Sequence, residues 1–306
     1  MTQRPAPLVL CAGIAVLDEV FRIGCFPAAE GKTKADSFAA TVGGCAANAA
    51  MTISRLGGKA RLAAPLGGPA GDDTVGDRII AGLVRERVDC RGIVRIAGTM
   101  SPLSAILVDA AARRIIVNHR DDRLAETRLA DPPALIDGAA AVLVDDLFPQ
   151  CVLPICEAAR ARAIPVVLDA ERPTRHADAL LDVCSHIIFS AEGLRASAGV
   201  DDLAAALPRI ARRAHRLVAV TDGENDILWL DGATVRRLPV FAVDAVDTLA
   251  AGDVFHGAFA LALAEGQGER TALRFAAAAA AIKCTRFGGG AGAPNRAEVE
   301  TLLASD

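Results

Sequence analysis

The stretch Asp247-Thr248-Leu249-Ala250-Ala251-Gly252-Asp253 runs directly into a helix-like segment at 254–264. Its small residues let the main chain come close to a ligand. Free N–H groups at such a helix start, reinforced by the helix dipole, form a site for phosphate or another anion. Asp253 falls in that first turn, where a carboxylate either caps the helix or accepts a proton from a hydroxyl attacking the bound phosphate. Some 200 residues earlier, Gly43-Gly44-Cys45-Ala46-Ala47-Asn48 opens another helix with a glycine pair and an amide side chain. Gly43 and Gly44 let the backbone meet a polar ligand. Asn48 offers a donor and an acceptor, suited to adjacent hydroxyls of a sugar or to an ordinary place on a helix.

Other combinations fail on spacing. Gly31-Lys32-Thr33 looks like the end of a phosphate-binding loop, but Phe26 stands where that motif needs glycine. No G-x-G-x-x-G follows a predicted strand, so a dinucleotide fingerprint is absent. The eight cysteines include no C-x-x-C pair and no zinc spacing, and are expected to be reduced and mostly buried. His256 lies three residues past Asp253 and suits a buried, hydrogen-bonded role. Asp169, at a predicted strand end before Glu171-Arg172, faces the rim where ligands bind, or caps a helix. Arg209, Arg212, Arg213 and Arg216 read as a solvated helix face.

These candidates need a scaffold, and the hydrophobic pattern supplies one. Apolar runs at 8–12, 61–66, 141–145, 165–169 and 186–189 predict buried strands; helical periods at 47–56, 74–87, 152–162 and 203–213 predict helices between them. Asp18 is expected on a loop beyond the first strand, facing a ligand. This alternation implies a mainly parallel sheet covered on both faces, a three-layer α/β/α architecture. Two stretches interrupt it: 32–42, and a predicted hairpin of 103–109 with 114–118 joined by 110–113. We read them as a small β-sheet lid formed by about 17–42 and 92–122 on a single domain spanning 1–306. Short strands with turns at Asp222-Gly223 and Asp231-Gly232 follow, and from Gly252 onward the chain is helical and alanine-rich.

The chain has 306 residues, 52% hydrophobic and 23% charged, enough to bury a large core. Its 33 Lys and Arg against 37 Asp and Glu leave a net charge of -4, which excludes an electrostatic footprint for nucleic acid or an anionic membrane. No export signal or bilayer-spanning run is legible, so a cytoplasmic protein acting on small molecules is expected.

In the order and spacing of its two Gly- and Asp-centred motifs, the chain resembles the PfkB (ribokinase-like) family of carbohydrate kinases. Gly43-Gly44 through Asn48 and Ala50, with Arg55-Leu56-Gly57 and Gly71-Asp72-Asp73 downstream, matches one signature; Asp247 to Asp253, continuing as Val254-Phe255-His256-Gly257-Ala258, matches the other. The resemblance implies ATP-dependent phosphorylation of a sugar hydroxyl with Mg²⁺. Asp253 would be the general base, Ala250, Ala251 and Gly252 the anion hole, and Asp18, Gly43, Gly44 and Asn48 the sugar site. Ser190, Thr221, Gly223 and Gly289 would lie on the nucleotide side, with Glu192 linked to magnesium through water. Two departures fall there: Ser190-Ala191-Glu192-Gly193 stands where the family often has Asn-x-x-Glu, and Asp226 replaces the second glycine of its Val-Thr-x-Gly turn. The Gly288 to Gly292 loop would shape the adenine pocket or a monovalent-cation (K⁺) site, and homodimers pairing through the lid would be the assembly.

Within the family, features including Glu30-Gly31-Lys32, Ile115-Ile116-Val117-Asn118 and Lys283-Cys284-Thr285-Arg286 resemble the sulfofructose-phosphorylating branch. There Lys32 and Asn118 would hold a sulfonate. The arginine that this branch uses appears here as Leu147, and Arg120 is the substitute, because a guanidinium forks onto a tetrahedral anion. Without such a cation a neutral ketose is expected. Two other readings stay open: a nucleoside kinase, disfavoured by the absence of Tyr and the single Trp229, and a non-catalytic sugar sensor on the same fold.

Overall fold

Strands that are apolar on both faces find a stable place only in a sheet covered on both sides, and Leu8–Ala12, Ala139–Asp145, Val166–Ala170 and His186–Ser190 are of that kind. The computed structural model describes residues 5–27, 30–111, 113–129, 131–173, 178–212 and 215–305. The expected helix end at Arg213 and Ala112 in the expected hairpin turn lie outside the described residues. In chain order come β1 (Leu8–Ala12), β2 (Val16–Arg22), β3 (Ser37–Gly43), α1 (Cys45–Arg55), β4 (Lys59–Gly67), α2 (Thr74–Arg85), β5 (Asp89–Ile96), β6 (Leu103–Val108) and β7 (Arg114–His119). They are followed by α3 (Pro132–Leu135), β8 (Ala139–Asp145), α4 (Pro149–Ala161), β9 (Val166–Ala170), α5 (Asp178–Val183), β10 (His186–Ser190), α6 (Ala191–Ala198), α7 (Leu203–Ile210) and β11 (Leu217–Asp222). The chain ends with β12 (Asn225–Asp231), β13 (Thr234–Leu238), α8 (Ala251–Ala264), α9 (Glu269–Cys284) and α10 (Arg296–Ala304).

The large sheet has the order β13-β12-β11-β10-β9-β8-β1-β4-β5. It is parallel from β11 to β5, with β12 and β13 added antiparallel. One apolar cluster packs α1, α2, α8, α9 and α10 on one face, and a second packs α4 to α7 on the other. This is the three-layer α/β/α arrangement. Small residues bring the site-bearing helices close: a Cβ on Gly257 of α8 would stand 2.7 Å from the Ala49 carbonyl oxygen of α1. Helices can approach this tightly only where one side chain is missing.

A second sheet has the order β3-β2-β6-β7 and carries the predicted hairpin as antiparallel β6 and β7. Two expectations need adjustment. Residues 92–96 run in β5 at the edge of the large sheet, with Ala63 opposite Gly92 and Gly67 opposite Ile96, so they do not belong to the small sheet. Asp18 sits on β2 and not on a loop, opposite Thr41 on one side and Ser104 on the other. Adjacent Asp18 and Glu19 break the local hydrophobic alternation, and β2 is fixed by partners distant in sequence.

Candidate active site

Beneath the small sheet, the segments just after β1 and β8 and the starts of α1 and α8 line an open cavity of about 650 Å³. Ala250, with φ 64°, turns the chain into α8. This left-handed backbone is uncommon for a residue with a Cβ. The Ala251 N–H already donates to the Thr248 carbonyl at 3.2 Å. The N–H groups of Ala250, Gly252 and Asp253 have no acceptor among the described residues, and all three line the cavity. Two of the expected set 250–252 are therefore free, and Asp253 takes the place of Ala251 as the third free donor.

Asp253 is 8% exposed, and its Oδ2 accepts from Asn48 Nδ2 at 2.6 Å. The two motifs thus meet at one hydrogen bond across 205 residues. Burial pushes the Asp253 carboxyl above its ordinary range, opposed by the Asn48 hydrogen bond and by His256. His256 is buried with both ring nitrogens near carbonyl oxygens, Gly252 at 2.8 Å and Ile188 at 3.3 Å. Its ring supports the start of α8, in line with the expected buried role.

On the small-sheet side, Asp18 faces the same cavity with Ser104 and Asn118. Asn118 Nδ2 donates to Ser104 Oγ at 3.1 Å, and Ser104 is in turn hydrogen-bonded to Asp18. A Cβ on Gly43 would lie 1.8 Å from Asp18 Oδ2, so the glycine is what lets this carboxylate occupy its place. Gly44, with φ 92°, opens α1 and lines the cavity. Burial, opposed by Ser104 and reinforced by the charge of Asp253, pushes Asp18 up to about 6.

Arg120 lines the cavity with its guanidinium 5.2 Å from the Phe148 ring centroid. Arg114 and Arg172 join it, and Leu147 lies among them. Arg114 Nη1 donates to Thr248 Oγ1 at 2.8 Å, linking the small sheet to the loop before α8. Burial and then the charge of Arg172 lower the Arg120 pKa. Among the described residues neither Arg120 nor Arg172 has a carboxylate oxygen within 4.0 Å. Sequence reasoning missed Arg114 and Arg172 as site residues. The available signal was the position of Arg172 just past the β9 strand end. Lys32 lies exposed in the connection between β2 and β3 and does not line the cavity.

Of the nucleotide-side candidates, Ser190 of β10 lies opposite Thr221 of β11 at neighbouring strand ends, and neither lines the cavity. Ser190 caps α6 by accepting from the Gly193 N–H at 3.1 Å, and Gly223, with φ 59°, makes the turn into β12. Glu192 is exposed on the first turn of α6. Gly289 donates its N–H to Asp247 Oδ2 at 3.3 Å. An acidic group at the same cavity was only partly anticipated: Asp169, Glu171, Asp253 and Cys45 present ligand atoms all within 4.8 Å of one another. Burial raises the Asp169 carboxyl well above its usual value, with Glu171 and Asp253 adding to the effect.

The pfkB family carbohydrate kinase model matches residues 7–296. A ribokinase of Bacillus subtilis is 28% identical, over 87% of this chain and 89% of its own length. Fructokinase-1 of Zea mays is 26% identical over 97% of each chain. A crystal structure from Agrobacterium tumefaciens, provisionally assigned as a ribokinase, superposes with a TM-score of 0.93 at 38% identity and covers 98% of both chains. With Asn48 of one signature bonded to Asp253 of the other, and a family match running almost end to end, the chain belongs to the pfkB family of carbohydrate kinases.

Proposed function

We propose that the protein transfers the γ-phosphoryl group of ATP to a sugar hydroxyl, with Asp253 as the general base. The contact between Asn48 and Asp253 at the mouth of α8 carries this reading, because it puts a base, an anion site and a sugar-facing amide in one cavity. The hydroxyl proton passes to Asp253 as the sugar oxygen bonds to phosphorus; the bond from the γ-phosphorus to its bridging oxygen breaks and ADP leaves. The N–H groups at the start of α8 stabilise charge on the transferring group. Asp18, Gly44, Asn48 and Asn118 hold the sugar. Ser190, Thr221, Gly223 and Gly289 serve the nucleotide. Closure of the small sheet over the sugar excludes water, and Lys32 is proposed to reach the substrate only in that closed state.

For Mg²⁺ the donor chemistry fits: Asp169 and Glu171 offer hard carboxylate oxygens beside Asp253, while Glu192 would act through water. Bound there, the ion would neutralise charge on the phosphates. Exposed Ile115, Ile116 and Val117 of β7 and Phe38 of β3 support pairing of two copies through the small sheet. No helix among the described residues is long and apolar enough to cross a membrane, and we place the enzyme in the cytoplasm.

Arg120 and Arg172 favour an acceptor with an anionic end, sulfofructose or a sugar phosphate, over a neutral ketose or ribose. A nucleoside kinase would need an aromatic-lined pocket, and among the described residues no Phe, Tyr or Trp lines this cavity. A coupled ADP-release screen over sulfofructose, fructose, fructose phosphates, ribose and nucleosides tests the reading. We expect ADP release with an anionic sugar above all; silence with every acceptor, alongside ligand-dependent thermal stabilisation, would make the protein a sensor.

The raised pKa values set a pH dependence. Asp18 and Asp253 work as ionised groups; with Asp18 pushed up to about 6, kcat/KM falls as pH drops through that value, by about tenfold per unit, and the raised carboxyl of Asp253 adds to the loss in the same direction. A profile flat from pH 8 to 5 would remove the requirement. The stability effect of Asp18 has the opposite sign. Between about pH 4 and 6 the folded state holds a proton that the unfolded chain has released, so this group's contribution declines as pH rises through that window.

A further inference from the structure

Lys283, in the last turn of α9, is the one charged residue with no exposure among the described residues. A buried ammonium is expensive unless oxygens surround it. Its Nζ donates to the Asp247 carbonyl at 2.7 Å and stands 3.4 Å from Asp247 Oδ2 and 3.5 Å from the Arg286 carbonyl. Two carbonyls and a carboxylate form an oxygen set that a monovalent cation would also accept, and here the ammonium takes it.

What this charge holds together is the phosphate-binding loop. Asp247 begins that loop; its Oδ1 accepts from the Leu249 N–H at 2.8 Å, and its Oδ2 from Gly288 at 3.0 Å and Gly289 at 3.3 Å. The Val246 and Asp247 N–H groups donate to the Cys284 carbonyl at 2.7 and 3.1 Å. The glycine-rich loop reaches the base's partner as well, because a Cβ on Gly290 would lie 2.1 Å from Asn48 Oδ1. Lys283 and Asp247 therefore clamp the turn that precedes Asp253 against the 288–292 loop. Burial pushes Asp247 up, but the hydrogen bonds from Leu249, Gly288 and Gly289 and the Lys283 charge overcome it and leave the carboxyl below its ordinary value. A free cation entering the same oxygens would meet a like charge at contact distance.

We propose that the Lys283 ammonium is a tethered substitute for a monovalent cation: it positions the anion-binding loop, and the enzyme works without K⁺. The inference rests on the kinase reading for its effect on turnover, but not for its binding test. In thermal melts at constant ionic strength, exchanging tetramethylammonium for K⁺ leaves the melting temperature of the wild-type protein unchanged, whereas Lys283→Ala is stabilised by K⁺ or methylammonium. With an accepted sugar, wild-type turnover stays within about twofold across these salts. Lys283→Ala loses at least about tenfold in kcat with the sugar KM little changed, and added K⁺ or methylammonium restores part of it. Stabilisation of the wild type by K⁺, or a tenfold stimulation of its turnover, overturns the proposal. So does a folded Lys283→Ala that neither cation stabilises or rescues. If that variant does not fold, the wild-type melts decide alone, and if no sugar is phosphorylated the melts still decide while the kinase reading fails separately.

Discussion

Asp253→Asn lowers kcat by about 10²–10⁴-fold, the usual contribution of a positioned general base, and leaves ATP affinity within a few-fold. The substitution keeps the shape of the side chain, and its amide oxygen can still accept from Asn48 Nδ2, as Oδ2 does now at 2.6 Å. The N–H groups of Ala250, Gly252 and residue 253 are main-chain donors and survive it. Removal of the base thus separates from removal of the anion site. Turnover is measured by coupled ADP release at saturating sugar and ATP, and nucleotide binding by calorimetry. Turnover within tenfold of wild type would show that the proton leaves by another route. Loss of nucleotide binding would show that the carboxylate shapes the phosphate site instead.

The parts of the protein legible in the sequence are those whose physics is local. Buried strands such as Leu8–Ala12 and His186–Ser190 announce themselves by continuous apolar residues, and the start of α8 by small residues ahead of an alanine-rich helix. Asp253 and Asn48 were legible because each opens or follows such a helix start. Asp18 was expected as a ligand-facing carboxylate on a loop and lines the cavity from a strand instead, since β2 takes its register from Thr41 and Ser104, contributed by distant segments. The same reason hid Arg172: its approach to Arg120 depends on how the β9 rim meets the small sheet, a relation with no local period. Ala251 shows the limit at atomic scale. Its type and place suit an anion hole, yet its N–H is already given to Thr248. Lys283 entered the sequence reading only through the stretch Lys283-Cys284-Thr285-Arg286, and only the folded chain reveals that it is enclosed.

Arg120→Ala and Arg172→Ala each raise KM for an anionic acceptor by about 10–100-fold, because a hydrogen bond to a charged group contributes about 1.5–3 kcal/mol and each 1.4 kcal/mol is tenfold. Both guanidiniums line the cavity without a carboxylate partner among the described residues, and their mutual repulsion is relieved when an anion enters between them. The expectation is therefore selective. A neutral sugar should bind each variant as well as wild type, or better, since one of two like charges has gone. Arg120→Lys should recover little, because an ammonium neither forks onto a tetrahedral anion nor stacks as a plane on Phe148. The comparison needs KM and kcat for one anionic and one neutral acceptor in wild type and the three variants. Equal losses on both acceptors would mean that the arginines merely support the cavity wall, leaving Asp18, Asn48 and Asn118 to select a neutral sugar through its hydroxyls.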